Sequence, residues 1–234
     1  MQIEGDVDYW KSGGANMLPF SREQFMSVFV IYNQAIWPAQ IVAEVLGLAI
    51  IYAIWRQIRW SGNFANLGLA VMWLWTGLSY HFAFFSGINS AAFIFAAFFV
   101  LQGLLFLLAA ALNNPQFGKV PPIRAYAGGL LIFYAILLYP LIGVLLGHSL
   151  VELPSFGVTP CPLTIFSFGV LLLAKQRVPI WLLAIPLLWS VVGGSAALLL
   201  SVPQDWMLLA SSITSLILMK MTIGNRGEPA KGAS

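Results

Sequence analysis

The sequence has very little charge. Only 8% of its 234 residues are Asp, Glu, Lys or Arg, while 60% are hydrophobic. A soluble domain carries about 25% charged residues, so this chain lacks the polar side chains needed to cover a surface that faces water. We therefore expect lipid to solvate most of the chain, and the composition predicts an integral membrane protein.

Other absences narrow the function. The single cysteine, Cys161, excludes an intramolecular disulfide and any metal motif built on a cysteine pair. No basic run with interleaved aromatic residues suggests a nucleic-acid partner. No Gly-x-Ser-x-Gly, P-loop, His-Glu-x-x-His or Gly-x-Gly-x-x-Gly motif occurs, so little favours an enzyme, although Cys161 with a histidine would permit one.

Hydrophobic runs fill most of the chain. They predict an all-α bundle of seven transmembrane helices, since each run approaches the ~20 residues that cross a bilayer. The polar start of the chain lacks the layout of a cleaved signal peptide, so we expect residues 1–16 to be a flexible extension, 17–223 the transmembrane domain and 224–234 a cytoplasmic tail. The predicted spans are about 37–55, 64–85, 88–112, 125–147, 160–175, 179–201 and 206–223.

Basic residues predict the orientation. The connectors at 85–90, 148–159 and 202–205 contain no Lys or Arg, whereas the alternate connectors contain several. The positive-inside rule then places the N-terminus outside and the C-terminus in the cytoplasm. The basic residues on the predicted inner side are Arg56, Arg59, Lys119, Arg124, Lys175, Arg177, Lys220, Arg226 and Lys231.

The first helix contains a predicted break. Ser21 and Gln24 have the spacing of a capping box, and Phe20 and Phe25 that of a hydrophobic staple. The apolar pattern that follows is too long for one straight span, and Pro38 offers a bend. We expect residues 21–36 to lie near the membrane interface.

Small residues predict where helices touch. Gly143 and Gly147 form a Gly-x-x-x-Gly pattern, and residues 193–196 are Gly-Gly-Ser-Ala. Both suit close packing between helices in lipid, either within the chain or against a partner.

The uncommon polar side chains gather at the predicted outer side, which favours a binding site open to that side. His81 is the foremost candidate, because an ionisable group within a span is costly unless it is paired or used. It could equally make a single hydrogen bond between helices. The candidate ligand-binding residues are Asn33, Tyr80, His81, Asn89, Thr159, Cys161 and Thr164.

The segment Thr159-Pro160-Cys161-Pro162 predicts a helix start, with Thr159 as its cap, because proline is tolerated in the first turn. The helix that follows is short for a span, so it could begin below the outer surface and present its positive N-terminus to an anion. An inert buried cysteine in a rigid hinge is the alternative.

Metal chemistry is a further hypothesis. His81, His148 and Cys161, with Glu152 or Asp205, have the ligand types of a zinc or copper site, but no spacing shows that they meet. The two histidines could also be an axial pair for haem.

Several stretches resemble an uncharacterised bacterial integral-membrane family, catalogued as a domain of unknown function. The resemblance runs in order from Met17 to the last span and implies a multi-pass protein of the bacterial inner membrane. It brings no activity and no site. The stretches are residues 18–25, 32–40, 73–92, 139–148, 156–174 and 178–197.

Three functions follow as expectations. The first is the binding or transport of a small molecule or ion through an outward-facing pocket near His81, Thr159 and Cys161. The second is an accessory or structural subunit that meets a membrane-protein partner or a second copy of itself. The third is a metal- or haem-binding redox protein; the sequence specifies no cofactor. The lipid bilayer is the one partner that the composition itself demands.

Overall fold

The computed structural model describes residues 19–200 and 202–224, and it contains eight helices there. They are α1 Arg22–Ala35, α2 Ala39–Trp55, α3 Ser61–Gly87, α4 Ala92–Ala111, α5 Pro122–Leu145, α6 Pro160–Leu172, α7 Ile180–Leu200 and α8 Trp206–Gly224. No β-strand occurs in these ranges, so the predicted all-α class is confirmed. The proposed N-terminal extension and most of the C-terminal tail lie outside the described residues.

Four helices are long and apolar enough to cross a membrane, namely α3, α4, α5 and α7. The bent pair α1–α2 passes the same test if it counts as one span. The four helices and this bent pair together cover most of the hydrophobic runs in the sequence. The helices α6 and α8 occupy the positions of the other two predicted spans, but α6 has only 13 residues, or about 20 Å of helix.

The short helix α6 is the centre of the bundle. All 13 of its residues are buried, and it packs against α3, α5, α7 and α8. A helix that is hydrophobic all round belongs in the interior, where protein rather than lipid surrounds it. Its polar groups are satisfied locally, since the Ser167 hydroxyl donates to the Leu163 carbonyl at 2.8 Å and accepts from Trp73 of α3 at 2.9 Å.

The predicted capping box and break of the first helix are confirmed. Ser21 Oγ accepts from the Gln24 amide at 3.2 Å, and Gln24 Oε1 accepts from the Ser21 amide at 2.8 Å. The rings of Phe20 and Phe25 stack at 5.9 Å. The chain bends by 85° between α1 and α2. Gln40 donates to the Asn33 carbonyl at 2.7 Å and so stabilises the broken turn.

The helix α1 lies across one end of the bundle. Tyr32 donates to the Val158 carbonyl at 2.6 Å and accepts from Trp75 at 3.0 Å. Asn33 donates to the carbonyls of Val151 and Leu153, each at 2.9 Å. These contacts fix α1 against the 148–159 connector and α3, so that it covers the end where α6 begins.

The small residues pack mainly within the chain. A Cβ on Gly143 would lie within 2.7 Å of two side-chain atoms of Leu153, and one on Gly194 would lie 2.6 Å from Leu209. Gly147 differs from the prediction, because a Cβ there would meet nothing within 4 Å. Its φ of +91° marks it as the residue that ends α5, a backbone conformation that favours glycine.

Candidate functional site

A cavity of about 160 Å³ lies beneath α1, at the end of the bundle where α6 begins. Its wall is mainly aromatic and draws on α1, α3, α4 and α7. Ser195 and Leu199 also line the cavity, and both residues are exposed. The aromatic lining residues are Phe20, Phe25, Phe29, Tyr80, Phe85, Phe95 and Trp189, and the polar ones are His81, Asn89, Cys161, Ser195 and Asp205.

His81 faces this cavity from α3 and is fully buried. Neither of its ring nitrogens has a hydrogen-bond partner. Its imidazole lies among aromatic rings, with centroid distances of 4.6 Å to Phe99 and 5.1 Å to Trp189. Buried polar groups are almost always paired, so an imidazole with two unpaired nitrogens beside a cavity indicates room for a binding partner.

The backbone of α3 is π-helical from Thr76 to Phe84, which includes His81. A π-helical turn inserts an extra residue into the helix and redirects the side chains that follow, and such turns are frequent at functional sites. Helix α5 contains a second π-helical stretch, Tyr134–Leu138, directly before Tyr139. Both stretches supply side chains to the same end of the bundle.

Asp205 contributes a buried carboxyl group to the cavity wall. The Tyr139 hydroxyl donates to its Oδ1 at 2.5 Å, and the Cys161 thiol is a second hydrogen-bond donor. Burial raises the pKa of Asp205 to about 6, and the two hydrogen bonds lower the pKa in opposition. Tyr134 holds the preceding residue by donating to the Gln204 carbonyl at 2.8 Å.

Four of the predicted site residues line this one cavity: Tyr80, His81, Asn89 and Cys161. Tyr80 stacks on Phe29 of α1 at 5.5 Å. Asn89 also accepts from the Ala91 amide at 3.1 Å, which supports the start of α4.

The other three predicted residues have structural partners instead. Asn33 holds the 148–159 connector, and its Oδ1 accepts from Ser155 at 3.0 Å. Thr164 donates to the Pro160 carbonyl at 2.7 Å. Thr159 has the extended backbone of an N-cap, but its hydroxyl makes no capping bond and donates to the Ser155 carbonyl at 2.7 Å.

The start of α6 is buried, as its short length suggested, but an acidic group stands beside it. The carboxyl group of Asp205 accepts from the Cys161 thiol in the first turn. Pro160 and Pro162 also lack N–H groups, so two donors of that turn are missing. The anion that a helix N-terminus favours is therefore supplied by the chain itself.

The proposed metal ligands do not meet in one group. Within residues 19–200 and 202–224, no cluster of three or more His, Cys, Asp or Glu side chains could hold a metal ion. His148 lies in a neighbouring hollow with Arg22 and Gln204, where its Nδ1 is 3.8 Å from Glu152. The haem hypothesis stays a prediction.

Sequence reasoning underrated Asp205 and missed Tyr139 and Trp189 as parts of this site. The rarity of acidic residues could have pointed to Asp205, because only Asp205 and Glu152 are acidic between positions 45 and 227. No sequence signal pointed to Tyr139 or Trp189, since aromatic residues are common throughout the chain.

Comparison with known proteins gives a family and no activity. Neither curated proteins nor solved structures gave a match. The model of a family of unknown function, DUF6064, matches residues 22–226. This agrees with the resemblance seen in the sequence and covers all eight helices of the described residues. The chain therefore belongs to the DUF6064 family.

Proposed function

We propose that this protein binds or transports a small molecule through the cavity beneath α1. The observation that carries the proposal is His81, a fully buried imidazole that lines the cavity with both nitrogens unpaired. An unpaired buried polar group is costly, and a ligand that pairs with it recovers that free energy. Asp205 and Cys161 add two further polar groups to the same wall.

We further propose that the chain crosses the bacterial inner membrane seven times, with the cavity open to the extracytoplasmic side. The charge distribution supports this orientation. Arg124, Lys175, Arg177 and Lys220 line a groove at the end of the bundle where α6 finishes, opposite the cavity. Basic residues favour the cytoplasmic side.

The alternative of an accessory subunit receives no specific support. Of the glycines expected to meet a partner, a Cβ added to Gly143, Gly193 or Gly194 would meet leucine side chains of the same chain, and one added to Gly147 would meet nothing within 4 Å. A membrane-protein partner or a second copy of the chain stays a prediction that rests on sequence alone.

Cys161 provides a test of the cavity, because it is the one cysteine of the chain. We expect methyl methanethiosulfonate to modify Cys161 in the native protein in lipid nanodiscs, as followed by intact mass. Ala196→Phe places a ring in the cavity and should slow the reaction at least tenfold. Leu198→Phe, on the exposed face of α7, should not.

Two outcomes would overturn the proposal. In the first, the wild-type thiol reacts only as fast as the protein unfolds even at alkaline pH, where the reactive thiolate is more populated, which means that no small molecule enters. In the second, the wild type and both variants react at equal rates in the native state, which means that the reagent does not pass through the cavity.

A further inference from the structure

The cavity wall combines aromatic side chains with an acidic side chain. Seven aromatic side chains line it, and Asp205 is the one acidic residue among the described residues of its wall. No Lys or Arg of the described ranges lines it. Arg22 lies in the adjoining hollow, where its Nε donates to the Leu200 carbonyl at 3.1 Å.

Within the part of the chain that the structure describes, the Asp205 carboxylate has no cationic partner. Among residues 19–200 and 202–224, no Lys, Arg or His nitrogen lies within 4.0 Å of its oxygens. Tyr139 and Cys161 donate hydrogen bonds to it, but both are neutral donors. Within the described residues, the buried wall therefore keeps a negative charge that a ligand or a proton can neutralise.

Aromatic rings around a carboxylate favour an organic cation. The faces of Phe, Tyr and Trp rings are electronegative and attract a positively charged nitrogen, as in the aromatic cages that bind ammonium groups. An organic anion would meet both the ring faces and the carboxylate with the wrong sign. A neutral apolar ligand would leave the charge of Asp205 without a counter-charge and the nitrogens of His81 without hydrogen-bond partners.

His81 narrows the choice among cations. A neutral imidazole offers one donor and one acceptor nitrogen, and both are unpaired here. A quaternary ammonium has no N–H to give to the acceptor, whereas a protonated amine does. The cavity of about 160 Å³ is close to the roughly 150 Å³ of an engineered cavity that holds benzene, so the ligand must be small.

From these observations we propose that the cavity binds a small protonated amine. Its charge faces Asp205, an N–H donates to His81, and its alkyl group packs against the aromatic rings. This assignment rests on the proposed function, because it specifies the ligand of the same cavity.

The test uses the small number of histidines. His148→Gln leaves His81 as the sole histidine, so ¹⁵N-histidine labelling gives its two ring nitrogens alone in an NMR spectrum of the full chain in nanodiscs. The probes are tert-butylammonium, tert-butanol and pivalate, which share one alkyl body and differ in the charge of the head group. We expect tert-butylammonium to shift the His81 resonances saturably, at concentrations at least tenfold below tert-butanol, and pivalate to leave them unchanged.

Asp205→Asn provides the matched control. The asparagine amide keeps one oxygen that can accept from Tyr139 and carries no charge, so the tenfold preference for tert-butylammonium over tert-butanol should disappear while tert-butanol still binds. An unchanged preference in this variant would exclude Asp205 as the counter-charge and overturn the assignment.

The remaining outcomes separate the two proposals. If tert-butanol or pivalate binds as well as tert-butylammonium, the cavity takes small molecules but not specifically amines, and only the ligand assignment fails. If no probe shifts the His81 resonances, small molecules do not reach the imidazole, and the proposed function fails with it.

Discussion

Asp205 shows how one residue links stability to the site. Its carboxyl group is buried, and desolvation raises its pKa from an ordinary 3.8 to about 6. The folded chain therefore holds this proton more tightly than the unfolded chain does. The contribution to the free energy of unfolding is fully present below the ordinary pKa and is lost as the pH rises through about 6.

The first prediction concerns Asp205→Asn. An amide does not titrate, so the wild type should lose up to about 3 kcal/mol of stability relative to the variant between about pH 4 and pH 7. Unfolding curves of both proteins in the same detergent at several pH values measure this difference. Parallel pH profiles for the two proteins would show that the carboxyl group is not perturbed by folding.

At the residue scale, rarity was the useful signal. His81, Cys161, Asn89 and Tyr80 attracted notice because polar side chains are scarce in this sequence, and they line one cavity. The same signal could not separate Asn33 from them, since an amide that holds a loop and one that binds a ligand look alike in sequence. The partners of Asn33 lie more than 100 positions away.

At the scale of elements, local sequence signals predicted where α1 begins and bends, but not where it packs in the bundle. The capping box, the staple and Pro38 fixed where the first helix begins and bends, because these effects act within a few residues. That α1 lies over the cavity depends on contacts with Val151, Leu153 and Val158, which no local pattern encodes.

The second prediction tests how α1 is held. Asn33→Ala removes three hydrogen bonds to the 148–159 connector, and a bond lost from a buried group costs about 1–3 kcal/mol. We expect amide hydrogens of residues 150–156 to exchange at least tenfold faster. The control is Gln34→Ala, an exposed amide on the same helix, which should leave exchange unchanged. Equal exchange in both variants would contradict this role of Asn33.

The third prediction concerns the crossing of α5 and α6. A Cβ on Gly128 would lie 2.8 Å from the backbone oxygen of Gly169, whereas one on the adjacent Gly129 would meet nothing within 4 Å. Gly128→Ala should therefore lower stability by about 1–3 kcal/mol. Gly129→Ala should be neutral or raise stability by up to about 1 kcal/mol, through helix propensity. Thermal unfolding that ranks the two variants in the reverse order would show that this contact does not limit the packing.

At the scale of the whole molecule, amino-acid composition alone predicted a membrane protein. Only 8% of the residues are charged, and four of the helices are long and apolar enough to cross a membrane. Hydrophobicity was a poorer guide to position, because a helix buried among other helices is as apolar as one that faces lipid. Helix α6 is the example, since it is apolar throughout and wholly enclosed.

We propose above that a small-molecule cavity reaches Cys161 from the extracytoplasmic side. It is tested most directly with a membrane-impermeant cationic thiol reagent, applied to spheroplasts and to inverted membrane vesicles that contain the protein, with Cys161→Ser as the blank. We expect modification of Cys161 in spheroplasts and none in inverted vesicles. Modification in inverted vesicles alone would contradict it.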